Sequence, residues 1–214
     1  MAVLNENSFL QAQCFRVNLS KRVIELCAPF SCGNQDLDDF FASDYASYSN
    51  QLLGKTYAFV EPGQTNNIVC AFTVSNASIF TNYLPNARKK KVGKDIPTAK
   101  RDLIYPAVLI GRLGVNVKYK RHHIGSELMY HIKEWFVEPT NKTGCRYLVV
   151  DAYNESTPLE YYLHNGFNFM FSTEEQEKEY RKVTASGPLH TRLMYFDLMQ
   201  IVSATTPEAN ASAA

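Results

Sequence analysis

The chain has 214 residues, of which 45% are hydrophobic and 20% charged, and its formal net charge is +1. The length suits one substantial domain, or at most two small ones, and the composition is that of a folded protein. A net charge this close to zero argues against a protein that coats nucleic acid through its overall charge, but it leaves room for a local basic patch.

The cysteine content favours reduced thiols over a disulfide framework or a zinc site, because the count is odd, the spacing is wide and no Cys-x-x-Cys pair occurs. The cysteines are Cys14, Cys27, Cys32, Cys70 and Cys145. No apolar stretch approaches the ~20 residues needed to cross a bilayer, and the N-terminus lacks a signal-peptide pattern. We therefore expect a cytoplasmic protein.

In the first quarter of the chain, alternating residue types predict a strand over 15–19. Helical spacing of apolar residues then predicts a helix over 34–53, capped by Asn34 and ended by Gly54. Two further apolar runs, 56–60 and 68–75, flank a Pro-Gly turn and predict a hairpin.

The segment 81–105 is basic and is interrupted by proline and glycine, which predicts a solvated loop with room for one short helix. Its cations are Lys89, Lys90, Lys91, Lys94, Lys100 and Arg101. Two interpretations of this basic segment remain open: it is a solvated surface, or it is a patch that faces a phosphate-bearing ligand.

The most informative stretch follows. The apolar run 107–117 predicts a buried strand, the segment 118–123 is a short basic loop, and a helix begins near Gly125. The apolar positions of that helix are Ile124, Leu128, Ile132 and Trp135. The first-turn N–H groups of a helix have no intrahelical acceptors and carry partial positive charge. A strand that enters a helix through a basic, glycine-containing turn therefore predicts an anion site.

The last third of the chain predicts more short elements, and no repeat or linker divides it. A buried strand over 147–152 precedes a helix capped by Ser156 or Thr157 and ended by Gly166. Strands are then expected at 167–171 and 191–202, with a charged surface helix or loop at 174–181 and a frayed tail over 203–214. The strands 107–117 and 147–152 enclose the helix 124–138 as a βαβ unit. The whole predicts a mixed sheet with helices on its faces, α/β or α+β.

Three stretches in the second half carry a family resemblance: the strand 109–117, the loop Lys120 to Ser126, and the segment 149–154 followed by Tyr161 to Phe167. In this order they resemble the GNAT superfamily of acyl-CoA N-acyltransferases. The resemblance implies a mostly antiparallel central sheet with a splayed parallel strand pair, and helices on both faces. We therefore expect one N-acetyltransferase domain over 1–202, followed by the flexible tail that the composition of 203–214 indicates.

A second, narrower resemblance lies in Phe30-x-Cys32-Gly33-x-x-x-Leu37-Asp38-x-Phe40 and in the stretch 105–115. Both are similar to the GNAT branch that contains toxins of toxin–antitoxin pairs, which acetylate the amino group of aminoacyl-tRNA. The implied partners are a charged tRNA and an antitoxin protein. A homodimer is left open, and no membrane partner is expected.

The resemblance implies a site for acetyl-CoA and none for a metal. The family's loop pattern is (Gln or Arg)-x-x-Gly-x-(Gly or Ala), with Lys120, His123 and Gly125 at its fixed positions, so that a histidine replaces the first glycine. Either the His123 side chain points away from the cofactor, or the loop differs in shape. The pyrophosphate-binding residues implied are Lys120, Arg121, His122, His123, Ile124, Gly125 and Ser126.

The same resemblance implies that the backbone of Leu113, Gly114 and Val115 pairs with the pantetheine amides, whereas the alternative is an ordinary core strand. Asn154 either binds the pantetheine or closes a turn after its strand. His122 and His123 lack a third ligand at a useful spacing, so we expect them to face phosphate or solvent rather than a metal ion.

Tyr162 occupies the family's usual general-acid position, four residues before Gly166. A phenol with pKa ~10 is protonated at neutral pH and can protonate a leaving thiolate, whose thiol has pKa ~8.5. Tyr161 and Tyr162 are ~100° apart on a helix, so only one of them faces a cleft; the other packs. No Glu or Asp lies in 109–117 to act as a base, which favours an α-amine acceptor over a lysine.

The predicted function is transfer of an acetyl group from acetyl-CoA to a primary amine by direct attack. One alternative is a catalytically silent GNAT-fold module that binds acyl-CoA or a protein. A second is a nucleic-acid-binding protein without acyl chemistry, which the near-zero net charge disfavours.

Overall fold

The structure is a computed structural model that describes residues 8–94, 96–97 and 104–205. Its strands, in chain order, are β1 (Phe15–Asn18), β2 (Cys27–Ala28), β3 (Lys55–Glu61), β4 (Asn66–Phe80), β5 (Ile104–Val115), β6 (Tyr147–Tyr153), β7 (Asn168–Phe169) and β8 (Thr191–Asp197). Its α-helices are α1 (Phe9–Gln13), α2 (Lys21–Leu26), α3 (Gln35–Asp39), α4 (Tyr45–Asn50), α5 (Asn86–Val92), α6 (Ile124–Val137), α7 (Ser156–His164), α8 (Glu174–Arg181) and α9 (Met199–Thr205).

The described strands form one mixed sheet in the order β1-β3-β4-β5-β6-β8-β7, with β2 pairing with β4. Neighbours are antiparallel where β1 meets β3, β3 meets β4, and β8 meets β6 and β7. The β5–β6 pair is parallel and encloses α6, as the βαβ pattern predicted. The expected fold class, a mixed and mostly antiparallel sheet accompanied by helices, is confirmed. The splay of the parallel pair and the domain boundary at residue 202 stay predictions.

The described residues divide into two compact units. The first lies within Met1–Ser75, Ile110–Thr140 and Met199–Ala214, and the second within Asn76–Leu109 and Asn141–Leu198. No helix among the described residues is long and apolar enough to span a membrane.

In the first unit, the predicted hairpin is confirmed, since β3 and β4 pair in antiparallel register from Lys55 opposite Val74 to Glu61 opposite Asn67. The helix predicted over 34–53 begins as expected, with the Asn34 side chain accepting a hydrogen bond from the Leu37 amide at 3.2 Å. Its middle widens into a π-turn over Phe40–Asp44, and α4 ends at Asn50. The predicted end at Gly54 is wrong, because Leu52 takes the left-handed conformation (φ 58°).

Gly54 is nevertheless required in the first unit, for a steric reason. A Cβ placed on it would lie 2.6 Å from Cε1 of Tyr48. The core of this unit consists of Leu19, which follows β1, aromatic residues from the α3–α4 segment and apolar residues of the hairpin: Phe40, Phe41, Tyr45, Ala58, Val60, Ile68 and Ala71.

In the second unit, β6 is almost entirely buried, as the apolar run predicted. The predicted strand 191–202 is only partly right: β8 ends at Asp197, and residues 199–205 form α9, which belongs to the first unit. The frayed tail predicted from residue 203 therefore overlaps α9, and its remainder, 206–214, lies outside the described residues. The residue before α7 is Glu155, so neither Ser156 nor Thr157 is the cap.

The charged segment 174–181 of the second unit forms a helix, which is one of the two forms predicted for it. It does not lie wholly at the surface. Glu177 is completely buried, and its carboxylate accepts hydrogen bonds from Nη2 of Arg181 (2.7 Å), Nε of Arg192 (2.8 Å) and the amide of Leu193 (2.7 Å). A buried carboxylate persists only when its oxygens are paired in this way.

All five cysteines are free thiols. Burial raises the pKa of Cys14 to about 12 and the pKa of Cys32 and Cys145 to about 11. It also raises the pKa of Cys27 and, strongly, that of the fully buried Cys70. The sequence-based expectation of reduced cysteines agrees with these surroundings, because a neutral buried thiol behaves as a small apolar group.

Candidate functional site

The loop between β5 and α6 begins with a half in which every backbone amide is already bonded. The Asn116 amide donates to Val69 O (2.9 Å), the Val117 amide to Ser31 O (2.9 Å) and the Lys118 amide to Oδ1 of Asn116 (3.0 Å). The Tyr119 amide donates to Asn116 O at 2.9 Å and the Lys120 amide to Val117 O at 3.4 Å. This half of the loop is consequently fixed to the rest of the first unit.

Asn116 is the centre of this arrangement, and sequence reasoning missed it. Its side chain is buried, with Nδ2 donating to Ile68 O at 2.9 Å while Oδ1 receives the Lys118 amide. An asparagine directly after an apolar strand is a recognised turn signal and could have drawn attention to this position. The partner carbonyl on β4 could not have been read from the sequence.

The second half of the loop contrasts with the first. Among the residues that the structure describes, none accepts a hydrogen bond of normal geometry from the amides of residues 121–124. Arg121 and His123 both have left-handed backbones, with φ of 67° and 58°. Successive N–H groups in such alternating conformations form a concave nest that binds anions. Four free donors therefore stand at the start of the 14-residue helix α6.

The replacement of the family's first loop glycine by His123 is explained by this backbone. His123 is the N-cap of α6 and occupies the left-handed region that a glycine would favour. Its side chain is exposed, and its carbonyl accepts the amides of Ser126 (2.9 Å) and Glu127 (3.1 Å). Asn, Asp and His are the non-glycine residues most often found in this region, so a histidine can keep the loop shape.

The basic side chains of the loop are at the surface. Lys118, Lys120, Arg121, His122 and His123 are all exposed. In contrast, the Ile124 side chain is buried, with 2% of its surface exposed, so it anchors the start of the helix. Its backbone amide has no acceptor among the described residues. Gly125 and Ser126 are half-buried in the first turn of α6. The predicted pyrophosphate residues are thus contiguous in one turn; their contact with a cofactor stays a prediction.

No group of three His, Cys, Asp or Glu side chains that could hold a metal ion occurs within the described ranges.

Glu127, in the first turn of α6, ties the N-terminal helix to this region. Its Oε2 accepts from Oγ of Ser8 at 2.8 Å and from the amide of Leu10 at 3.0 Å. The phenol of Tyr119 donates to Glu61, and its ring lies 5.9 Å from that of Phe9. Burial and the Glu61 carboxylate raise the pKa of Tyr119, so this phenol keeps its proton.

The predicted pantetheine-binding residues lie near the end of β5. Leu113 and Val115 are half-buried, and Gly114 is buried between them. A Cβ on Gly114 would lie 3.1 Å from Cβ of Cys32 and 3.3 Å from Cε2 of Phe41. The structure therefore gives Gly114 a packing role against the 30–41 segment, and pairing of this strand with pantetheine stays a prediction.

In the second unit, Asn154 fits the turn-closing alternative. Its Nδ2 donates to Oε1 of Glu174 (2.9 Å) and to Leu189 O (2.8 Å), and its own amide donates to His190 O at 2.9 Å. These bonds fix the chain where β6 ends, and the amide nitrogen is committed to them. Only Oδ1 is left for a ligand, so the predicted pantetheine contact would use that atom.

Tyr162 is held in the second unit by the end of α7. The Phe167 amide donates to Tyr162 O (3.0 Å), and the Gly166 amide to Leu163 O (2.9 Å), with φ of 78° at Gly166. This is the Schellman motif, in which the residue after the glycine also packs on the last full turn. The Phe167 and Tyr162 ring centroids are 5.4 Å apart. The Tyr-x-x-x-Gly-Phe spacing follows from this geometry.

The Tyr162 side chain is half-buried, and among the described residues nothing hydrogen-bonds to its hydroxyl. Removal from water raises its pKa well above 10, so the phenol is a proton donor at neutral pH. The Tyr161 ring packs against it at 5.0 Å. Its hydroxyl is thus free to serve as a general acid, which stays a prediction.

The basic segment 81–105 contains the short helix α5, also in the second unit. Arg88 Nε donates to Oγ of Ser172 (3.0 Å) and Lys91 Nζ to Oδ1 of Asn168 (2.8 Å), so these two cations tie the helix down. Lys89, Lys90 and Lys94 are exposed. Lys100 and Arg101 lie outside the described residues.

Comparison with known proteins supports this description of the fold. No protein-family model matches the sequence. A Tyr-to-Phe variant of KacT aligns with 90% of this chain and 99% of its own at 18% identity and a TM-score of 0.66. AtaT complexed with acetyl-methionyl-tRNAfMet aligns with 90% and 99% at 16% identity and a TM-score of 0.66. AtaTR bound with AcCoA aligns with 91% and 99% at 17% identity and a TM-score of 0.63.

KacT and AtaT are GNAT-fold toxins, and this chain has their fold. The resemblance to the GNAT superfamily read from the sequence is thereby confirmed at the level of the fold. At 16–18% identity the comparison does not extend to chemistry or partners.

Proposed function

We propose that this chain is an acyl-CoA N-acyltransferase that moves an acetyl group from acetyl-CoA to a primary amine. The observation that carries the proposal is the run of four free amides at residues 121–124, shaped by left-handed Arg121 and His123 at the start of α6. Nests at helix N-termini bind phosphate groups, and exposed Lys118 and Lys120 add positive charge. The AtaTR structure with AcCoA supports the choice of ligand.

In the proposed reaction, the neutral amine attacks the thioester carbonyl, the C–S bond breaks, and the acetyl group passes to nitrogen, which releases one proton to solvent as the amide forms. We assign Tyr162 as the general acid that protonates the departing CoA sulfur. Two observations support this assignment. The phenol is half-buried, and loss of solvation raises its pKa. Its hydroxyl makes no hydrogen bond to any described residue. An α-amine has pKa ~8 and needs little help to lose its proton.

For the acceptor, we propose the amino group of aminoacyl-tRNA. The complex of AtaT with acetyl-methionyl-tRNAfMet supports this class of substrate, as do the exposed lysines of α5. The KacTA–DNA complex and the AtaTR structure likewise support an antitoxin protein as partner.

The test is Tyr162→Phe compared with wild type and with the neighbouring Tyr161→Phe. General-acid catalysis contributes ~10²–10⁴-fold, so Tyr162→Phe is expected to bind acetyl-CoA normally in calorimetry and to lose at least ~10²-fold in turnover. Tyr161→Phe should keep most of its turnover. Equal turnover in wild type and Tyr162→Phe rejects Tyr162 as the acid.

Acetyl-CoA binding by wild type without turnover on any amine, charged tRNA included, supports the silent-module alternative. For the toxin assignment, expression of wild type should arrest bacterial growth and expression of Tyr162→Phe should not. Harmless expression of wild type contradicts it.

A further inference from the structure

The segment Pro29 to Phe40, singled out in the sequence by its Phe-x-Cys-Gly pattern, forms a tight turn clasped by one carboxylate. Asp38 Oδ2 accepts from Oγ of Ser31 at 2.6 Å, and Oδ1 accepts from the Cys32 amide at 2.7 Å. The Gly33 amide donates to Oγ of Ser31 at 3.2 Å. Burial alone would raise the pKa of Asp38, but these hydrogen bonds outweigh it and hold the pKa below its ordinary value.

This turn touches the phosphate-binding loop of the same unit at two points. Ser31 O accepts the Val117 amide at 2.9 Å, and Val117 is the second residue beyond the end of β5. Gly33 has φ of 79°, and a Cβ on it would lie 3.3 Å from both Nζ of Lys120 and Cγ1 of Val117. Glycine therefore leaves the space in which the Lys120 ammonium lies.

The Cys32 thiol itself has no chemical role here. It is buried, its pKa is raised to about 11 by burial and by Asp38, and its Sγ lies 3.9 Å from Asn34 O. What the motif supplies is the shape of the turn, which lies so close to β5 that a Cβ on Gly114 would come within 3.1 Å of Cβ of Cys32.

We propose that Asp38 and Gly33 are positioning residues for the phosphate end of acyl-CoA: Asp38 holds the Ser31–Gly33 turn, and the turn sets the place of the Lys120 ammonium and of the Val117 amide. The assignment rests on the proposed function. It predicts different effects on two parts of the ligand. The Lys120 ammonium can attract the anionic phosphates of CoA, whereas the acyl-pantetheine arm is uncharged. The turn therefore acts on binding of the donor and leaves the acyl-transfer step alone.

The experiment compares two donors, acetyl-CoA and S-acetylpantetheine, which carries the same thioester without phosphates. Gly33→Ala and Asp38→Ala should raise KM for acetyl-CoA about tenfold, the loss expected for a charge-assisted contact, with kcat unchanged. For S-acetylpantetheine, kcat/KM of both variants should equal that of wild type. Asp38→Asn keeps an oxygen for the Cys32 amide and can donate to Ser31, so it should restore most of the affinity.

A second readout needs no donor at all. Hydrogen exchange of the Val117 amide in the free protein should speed up in Asp38→Ala and not in the matched control Asp39→Asn, an exposed carboxylate whose Oδ1 meets only Gln35. If Asp38→Ala fails to fold, Gly33→Ala and Asp38→Asn carry the comparison.

Equal losses with both donors, or an unchanged KM for acetyl-CoA, overturn the positioning role and leave the proposed function standing. Failure of wild type to bind acetyl-CoA overturns the proposed function and this assignment together.

Discussion

The two halves of the loop between β5 and α6 differ in how their backbone donors are used. Every amide of residues 116–120 is bonded to the protein, whereas the amides of 121–124 have no acceptor among the described residues. An unbonded N–H has a cost only when it is hidden from water and ligand. The hydrogen bonds of the first half therefore make it rigid, whereas the second half has backbone donors available for the anion that we propose.

The largest expected effect comes from breaking the rigid half at Asn116. Asn116→Ala removes two hydrogen bonds of a buried side chain, to the Ile68 carbonyl and from the Lys118 amide, so we expect a loss of about 2–4 kcal/mol in the free energy of unfolding. Urea titration measures it. Asn67→Ala, which removes only 3.4 Å contacts, is the control and should cost less than about 0.5 kcal/mol. Similar losses in both variants would contradict a special role for Asn116.

A smaller effect is expected from changing the backbone of the open half. His123→Val places a β-branched residue at φ 58°, which we expect to cost about 1–3 kcal/mol in stability and to distort the nest. His122→Val is the matched control, since His122 is not in the left-handed region. His123→Gly should keep acetyl-CoA binding. Thermal unfolding measures the stability and calorimetry measures acetyl-CoA binding. Unchanged binding in His123→Val would contradict the assignment of the nest as the phosphate site.

The smallest effect separates charge from shape. Arg121→Gly keeps the left-handed backbone and removes an exposed cation, so acetyl-CoA affinity should fall only about 2- to 5-fold. Its dependence on salt should also weaken, because screening acts on exposed charges. Arg22→Gln, an exposed cation on α2, should change neither quantity. A loss far beyond fivefold in Arg121→Gly would mean that side-chain charge, and not the free amides, dominates binding.

The elements with strong local signals were predictable from the sequence. The hairpin, β6 and α6 follow from residue periodicity, and the apolar positions Ile124, Leu128 and Ile132 are buried as the pattern required. The basic turn before α6 was also correctly located, because strand, loop and helix each leave a mark on the sequence within some thirty residues.

What could not be predicted depends on partners distant in sequence. Glu177 is buried because Arg192, fifteen residues away, and the Leu193 amide reach it, whereas its sequence neighbours Gln176 and Lys178 are polar and predict a solvent-facing segment. The left-handed backbone of Leu52 ends a helix that the sequence would end at Gly54. The roles of Asn116 and Asp38 likewise need the carbonyl of Ile68 and the turn at Ser31, which no local pattern reveals.

The environment of the cysteines has a practical consequence for testing these ideas. With pKa values raised for all five thiols, the protein holds very little thiolate at pH 8, and thiolate is the form that attacks disulfide reagents. Released coenzyme A, with an ordinary thiol of pKa ~8.5, reacts readily under the same conditions. A colorimetric thiol assay should therefore register product formation over a low and slowly rising protein background.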